Sequence, residues 1–222
     1  MVTYKQVVSK QRVAKHGEVF TNPREVNAML DLVKAETENI FSRFLEPACG
    51  KGVFLAEVLH RKLKIVKNRY GKRPIEYERY AVIAVSSIYG IELLKDNVED
   101  CRQDMLDIFL AEYKEATGKD CSAECKQTVK FILRKNIIWG DALTLKRIDE
   151  PDKPIVFSKW SAIDANVKKI QRHDFTFKQL LQDTNKNQER TLFEEPESDP
   201  WQPIKTFPPV NYLRLEDAES TI

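Results

Sequence analysis

Three acidic residues and a pair of glycines carry the chemistry in this chain. The stretch "FLEPACGKGVFL", Phe44 to Leu55, sets Glu46 just ahead of Gly50 and Gly52. A strand, a Gly-x-Gly turn and then a helix would present backbone N–H groups and let a ligand approach closely. Glu92 ends a second strand-like run about forty residues on, in "YGIELL". There it is suited to accept both hydroxyls of a ribose. Asp141 ends a third in "NIIWGDAL", suited to accept a hydrogen bond from an adenine amino group. Glu46 would meet a positively charged ligand end. A ribose, an adenine and a cationic amino acid together describe S-adenosylmethionine. The loop lacks the G-x-G-x-x-G spacing of dinucleotide folds and the Gly-Lys-Ser/Thr of a P-loop.

These motifs resemble, in the same order, those of the gamma-order N6-adenine DNA methyltransferases of bacterial restriction–modification systems. "HGEVFTNP", His16 to Pro23, is similar to the segment those enzymes set before the loop, and "IYGIEL" and "WGDAL" match their ribose and adenine positions. The resemblance covers about Lys10 to Leu145, roughly 60% of the chain. It implies that Thr21 and Pro23 lie near the methionine moiety, and that Glu46, Ala48, Gly50 and Gly52 line the loop. It also implies that Glu92 takes the ribose, Leu93 packs on the adenine face, and Asp141 with Ala142 reads the adenine edge. The family usually has Thr and Pro adjacent, whereas Asn22 intervenes here.

Adenine's amino group is a poor nucleophile because its lone pair is delocalised into the ring. The family answers with an Asn/Asp/Ser-Pro-Pro-aromatic tetrapeptide after the fourth strand, which polarises the amino group and stacks on the flipped base. This chain has no such tetrapeptide. "IVFSKWS" occupies the matching position, with Ser158 seventeen residues after Asp141. Ser158 and Trp160 are therefore the catalytic candidates, as a degenerate motif. "SDPW" (Ser198–Trp201) and "FPPVNY" (Phe207–Tyr212) have prolines but no preceding strand.

The elements that must hold these residues follow from pattern. Strand and helix signals alternate, which predicts an α/β fold with a mostly parallel sheet; the resemblance makes it a class I S-adenosylmethionine-dependent, Rossmann-like fold, incomplete at its C-terminal strands. Val26–Val33, Val53–Ile65, Lys95–Thr117 and Ala123–Arg134 read as helices. Pro154–Trp160 reads as the fourth strand and "HDFTFKQLL" as a small helix. Residues 1–182 form the binding domain, and 183–222 read as an extended acidic tail.

Composition bounds the rest. At 222 residues with 42% hydrophobic content, the chain can bury a core. No apolar run approaches the roughly 18 residues of a membrane span, and four cysteines without a CxxC pair argue for reduced thiols in a cytoplasm and against zinc. Net charge is only +2, yet Arg61–Arg73 holds seven Lys/Arg and no acid. That cluster, with the Lys5–Lys15 arm, is either a solvated helix end or a phosphate-facing patch for DNA. The expected function is a DNA adenine-N6 methyltransferase, or a subunit of one completed by a larger restriction–modification partner. The alternative is a non-catalytic S-adenosylmethionine-binding regulatory subunit.

Overall fold

The computed structural model describes residues 21–181 and 202–220. Helix α1 (Pro23–Asp31) starts where Asn22 accepts a hydrogen bond from the Arg24 N–H at 2.9 Å and Pro23 takes the first turn. A short helix, α2 (Lys34–Thr37), leads to strand β1 (Phe44–Glu46). Helices α3 (Val53–Tyr70) and α4 (Pro74–Ser86) follow, then β2 (Ile88–Glu92) and α5 (Lys95–Thr117). Gly118 ends α5 at φ +76°, the left-handed cap that glycine adopts without strain. Helix α6 (Ala123–Asn136), capped by the Ser122 hydroxyl, runs into β3 (Ile137–Asp141). The second half of helix α4 gives no 3.6-residue signal because every residue from Ala81 to Ser86 is buried; a helical segment apolar all round lies inside the core.

Strands β1, β2 and β3 are parallel neighbours in that order, and the two-residue β4 (Lys146–Arg147) adds antiparallel to β3. Their carboxyl ends all point the same way. Leu55, Val58 and Leu59 of α3 and Val98, Cys101 and Met105 of α5 pack in one large core cluster with Ile88 and Ile137. On the opposite face, Tyr89, Ile91 and Ile138 pack with Ile155, Phe157 and Phe177. The result is an α/β architecture in which helices pack on a partly parallel, partly antiparallel sheet.

The fourth strand differs from the sequence reading. Strand β5 (Val156–Ala162) does not join the parallel sheet but forms an antiparallel hairpin with β6 (Lys169–Thr176), in register from Val156↔Thr176 to Ala162↔Ile170. Asp164 fixes the turn by accepting from the Asn166, Lys168 and Lys169 N–H groups. The segment read as a small helix is thus strand as far as Thr176. Its alternation was hidden because two of its inward side chains, Arg172 and Asp174, are charged. They are tolerated inside because they pair bidentately at 2.8 and 2.7 Å, with Arg172 also 2.7 Å from Glu219.

Residues 202–220 are not an extended tail. Strands β7 (Lys205–Thr206) and β8 (Val210–Asn211) both pair with β6, and a 3-10 helix (Leu215–Glu219) follows. Phe207, Tyr212, Leu215 and Ala218 are buried, so a polar stretch with widely spaced apolar anchors still docks. No helix among the described residues is long and apolar enough to cross a membrane.

One buried charge deserves a measurement. Lys62 of α3 is fully buried; its Nζ donates to the Ser42 carbonyl and, at 2.7 Å, to the Ser87 hydroxyl. Burial pushes its ammonium down to about 7, with Glu36 opposing. A folded-state value below the unfolded one means that the native state binds fewer protons between the two. Stability should then rise with pH from about 7 to about 10, by a few kcal/mol at most. Urea titrations across that range are expected to show the stability of the native chain rising relative to that of Lys62→Met, a comparison that removes the contribution of buried thiols common to both; equal pH profiles for the two would refute it.

Candidate functional site

The carboxyl ends of β1, β2 and β3 lie side by side, roughly 10 Å across at ~4.8 Å per strand; open α/β sheets bind ligands in the crevice outside such ends. The loop after β1 turns back on itself through a Gly52 N–H to Cys49 carbonyl bond of 2.7 Å, and Cys49 donates to the Ile91 carbonyl at 3.0 Å. Gly50 and Gly52 have φ of +53° and +85°, which side chains rarely adopt. A Cβ on Gly52 would lie 2.5 Å from the Cys101 sulfur, and one on Gly90 would lie 2.8 Å from the Cys49 sulfur. Glycine at 52 and at 90 is therefore what lets the loop sit against β2 and α5.

Glu92 ties the loop to the second strand. Its Oε2 accepts from the Gly50 N–H at 2.9 Å, and its Oε1 from the Leu94 N–H at 2.9 Å. A carboxylate has about four acceptor positions, so about two remain for ligand hydroxyls. Glu46 ends β1 half-buried; burial raises its carboxyl above the usual range, opposed by the Ala48 N–H. Glu46 and Glu92 both lie close enough to Cys49 to oppose ionisation of its thiol. Donation of its proton to Cys101, together with burial, pushes the Cys49 thiol far above the ordinary range, so it is no nucleophile.

Asp141 stands half-buried at the end of β3, its Oδ1 accepting from the Leu143 N–H at 2.8 Å. That N–H holds its carboxyl below the usual range. Leu93 and Leu143 are 49% and 94% exposed at this rim, and Ala142 is half-buried. The structure brings together Glu46, Ala48, Gly50, Gly52, Glu92 and Leu93, with Asp141 and Ala142 at the same strand ends. Thr21 and Pro23 begin the described chain at the start of α1. Most of "HGEVFTNP", the Lys5–Lys15 arm and "SDPW" lie outside the described residues.

Ser158 and Trp160 lie elsewhere, and their surroundings differ from the expectation. Ser158 is in the middle of β5 rather than after a strand, 2% exposed, its hydroxyl donating to Asp174 at 2.7 Å. The Ser158 carbonyl accepts from the Tyr89 hydroxyl at 2.9 Å, and the Trp160 indole N–H donates to the Asn136 side-chain oxygen at 3.0 Å. Ile155 packs over Gly140 near the end of β3, so β5 runs from there back toward the amino ends. That takes both candidates away from the crevice. In "FPPVNY", Phe207 is buried with the Arg172 guanidinium 3.9 Å from its ring centre, a packing role.

Three of the seven basic residues of the run are paired with acids within the chain. Arg61 pairs with Asp31 and Glu57, Lys67 with Glu115, and Arg73 with Glu76, while Lys62 is buried. Among the described residues no grouping of His, Cys, Asp and Glu could hold a metal ion. No protein family, curated protein or solved structure matches the chain.

Two substitutions separate strain from collision at the loop. Gly50→Ala adds only the left-handed backbone cost, about 1 kcal/mol, because nothing lies within 4 Å of its new Cβ. Gly52→Ala adds the Cys101 collision, and chemical denaturation should register a loss of about 2–4 kcal/mol; a smaller loss than at Gly50 would contradict the packing. At the far end, Ser158→Ala and Trp160→Phe each unpair a buried partner and should cost about 1–3 kcal/mol. Thermal melts would show that cost as lowered midpoints, while ligand affinity at the crevice stays unchanged if these residues serve structure alone.

Proposed function

We propose that this chain binds S-adenosylmethionine in the crevice at the ends of β1–β3, as the cofactor-holding part of a DNA adenine-N6 methyltransferase of a restriction–modification system. The observation that carries the cofactor reading is the Glu92 carboxylate on the Gly50 N–H. In a phosphate-binding loop that N–H would face the anion; here it already faces an acid. Glu46, Glu92 and Asp141 make the crevice acidic, and Lys51 of the loop is paired with Asp100 at 2.7 Å. A dinucleotide pyrophosphate would be repelled. A ligand with hydroxyls, an adenine amino group and positive charge suits the same groups.

When bound, S-adenosylmethionine supplies an electrophilic methyl group on a sulfonium. Glu92 would hold the ribose hydroxyls, Asp141 the adenine amino group, and Glu46 the cationic amino-acid end. The DNA half of the reading rests on the resemblance of the motifs and their order. The residues that polarise the target amino group would come from a partner chain, because Ser158 and Trp160 are committed to Asp174 and Asn136. That same commitment favours a second reading, in which the chain is a non-catalytic S-adenosylmethionine-binding regulatory subunit.

Calorimetry with S-adenosylhomocysteine tests the first claim. Binding near 1:1 is expected, with Asp141→Ala and Glu92→Ala each weakening it by about 1–3 kcal/mol. Affinity for S-adenosylmethionine should also rise with pH through the Glu46 ionisation, which lies above the usual carboxylate range, since the cation needs the carboxylate. No heat with either ligand, or tighter binding of a dinucleotide, would dismiss the cofactor reading. Methylation of adenine-containing DNA by a complex with its partner, but not by the chain alone, separates the subunit reading from the regulatory one.

A further inference from the structure

We propose that Trp139 is the positioning residue that sets Glu92 for hydroxyl recognition, a role that rests on the reading of the crevice above. Trp139 and Glu92 are direct partners across the β2–β3 register, so both side chains rise from the same face of the sheet, one strand apart. The indole does more than wall the carboxylate. Its Nε1–H donates to the Leu93 carbonyl at 2.9 Å. The next residue, Leu94, supplies the N–H that pins Glu92 Oε1 at 2.9 Å, and Gly50 pins Oε2. One chain of hydrogen bonds thus runs from the Trp139 indole through the 93–94 peptide to the carboxylate and on to the glycine loop.

This chain has a geometric purpose. Leu93 is 49% exposed and Leu94 starts α5 in an extended conformation at φ −101°, ψ 122°. Neither residue's side chain caps the helix, so the bond from the Leu94 N–H to Glu92 within the 92–94 turn needs a second lock. The indole N–H provides one from the neighbouring strand, and the Lys95 ammonium lies 5.7 Å from the ring centre, flanking the indole at the start of α5. With the turn fixed, the two unused acceptor positions of Glu92 point in one direction. Released, the carboxylate keeps its charge but loses that direction. Selectivity for hydroxyls would then fall before affinity for the rest of the ligand does.

The test compares the native chain with Trp139→Phe, which keeps a ring and removes the donor. A site-specific benzothienylalanine at 139 removes only the N–H and serves if the Phe variant folds poorly. The first readout needs no ligand: amide hydrogen exchange at Leu94 and Gly50, expected to quicken about tenfold or more while core amides of α3 hold their rates. The second is the ratio of affinities for adenosine and 2′,3′-dideoxyadenosine, expected to collapse toward one in the variant while dideoxyadenosine affinity is unchanged. Unchanged exchange at both amides in a folded variant would overturn the inference, as would an unchanged ratio. If the native chain itself fails to distinguish the two nucleosides, the crevice reading falls, and quickened exchange would still establish the strap. A residue that merely supports the fold would shift the melting midpoint and leave the ratio alone.

Discussion

The Glu92 carboxylate is the constraint on which the carboxyl end of the parallel sheet depends. It joins the loop after β1 to the turn after β2 through two backbone N–H groups. Charge-assisted hydrogen bonds of this kind are roughly twice as strong as neutral ones. Without the carboxylate, the Gly50 amide would turn toward solvent or an anion, and the site would change its chemical preference along with its shape. The arrangement works only because glycine occupies positions 52 and 90, where the loop comes within contact distance of Cys101 and the second strand. Backbone freedom and an acid act as one device here.

How much of this could be read beforehand depends on the kind of signal. Helix α5 was legible to its boundaries, because Val98, Cys101, Met105 and Phe109 recur at helical spacing and Gly118 stops it. The Gly-x-Gly turn, Glu92 and Asp141 were legible because each ends a short apolar run. The second half of helix α4 was silent, since a run buried on every side has no polar face to mark its period. The β5–β6 hairpin was misread for the opposite reason: charged residues stand at its inward positions, and they satisfy one another only once Asp174 meets Arg172 and Ser158. The docking of residues 202–220 depends on contacts such as the 2.6 Å bond from the Tyr212 hydroxyl to Glu78. Such long-range partners leave no periodic trace.

The two ends of the parallel strands are held by different forces. At the carboxyl ends, backbone amides and half-buried acids prevail, and Leu93 and Leu143 stand open to water. At the amino ends, the links are buried: the Tyr89 hydroxyl, the Trp160 indole and the Arg172–Asp174 pair all lie inside. Partly buried ion pairs are weak net contributors but costly to break. The candidate site and the buried links are thereby segregated along the strand axis.

Asn136 shows what that segregation means for how the chain finds its shape. Its amide nitrogen donates to the Ser86 and Ile88 carbonyls at 3.1 and 3.0 Å, and its oxygen accepts from Trp160. One fully buried side chain therefore reads two segments of the helix–sheet layer and one of the hairpin. A hairpin that slid by two residues would still bury hydrophobic surface, but would leave that oxygen dry and unmatched. Hydrophobic attraction is indifferent to such a slip; the amide is not. It works as an address label, making assembly of the two sheets a choice among registers rather than a matter of stickiness alone.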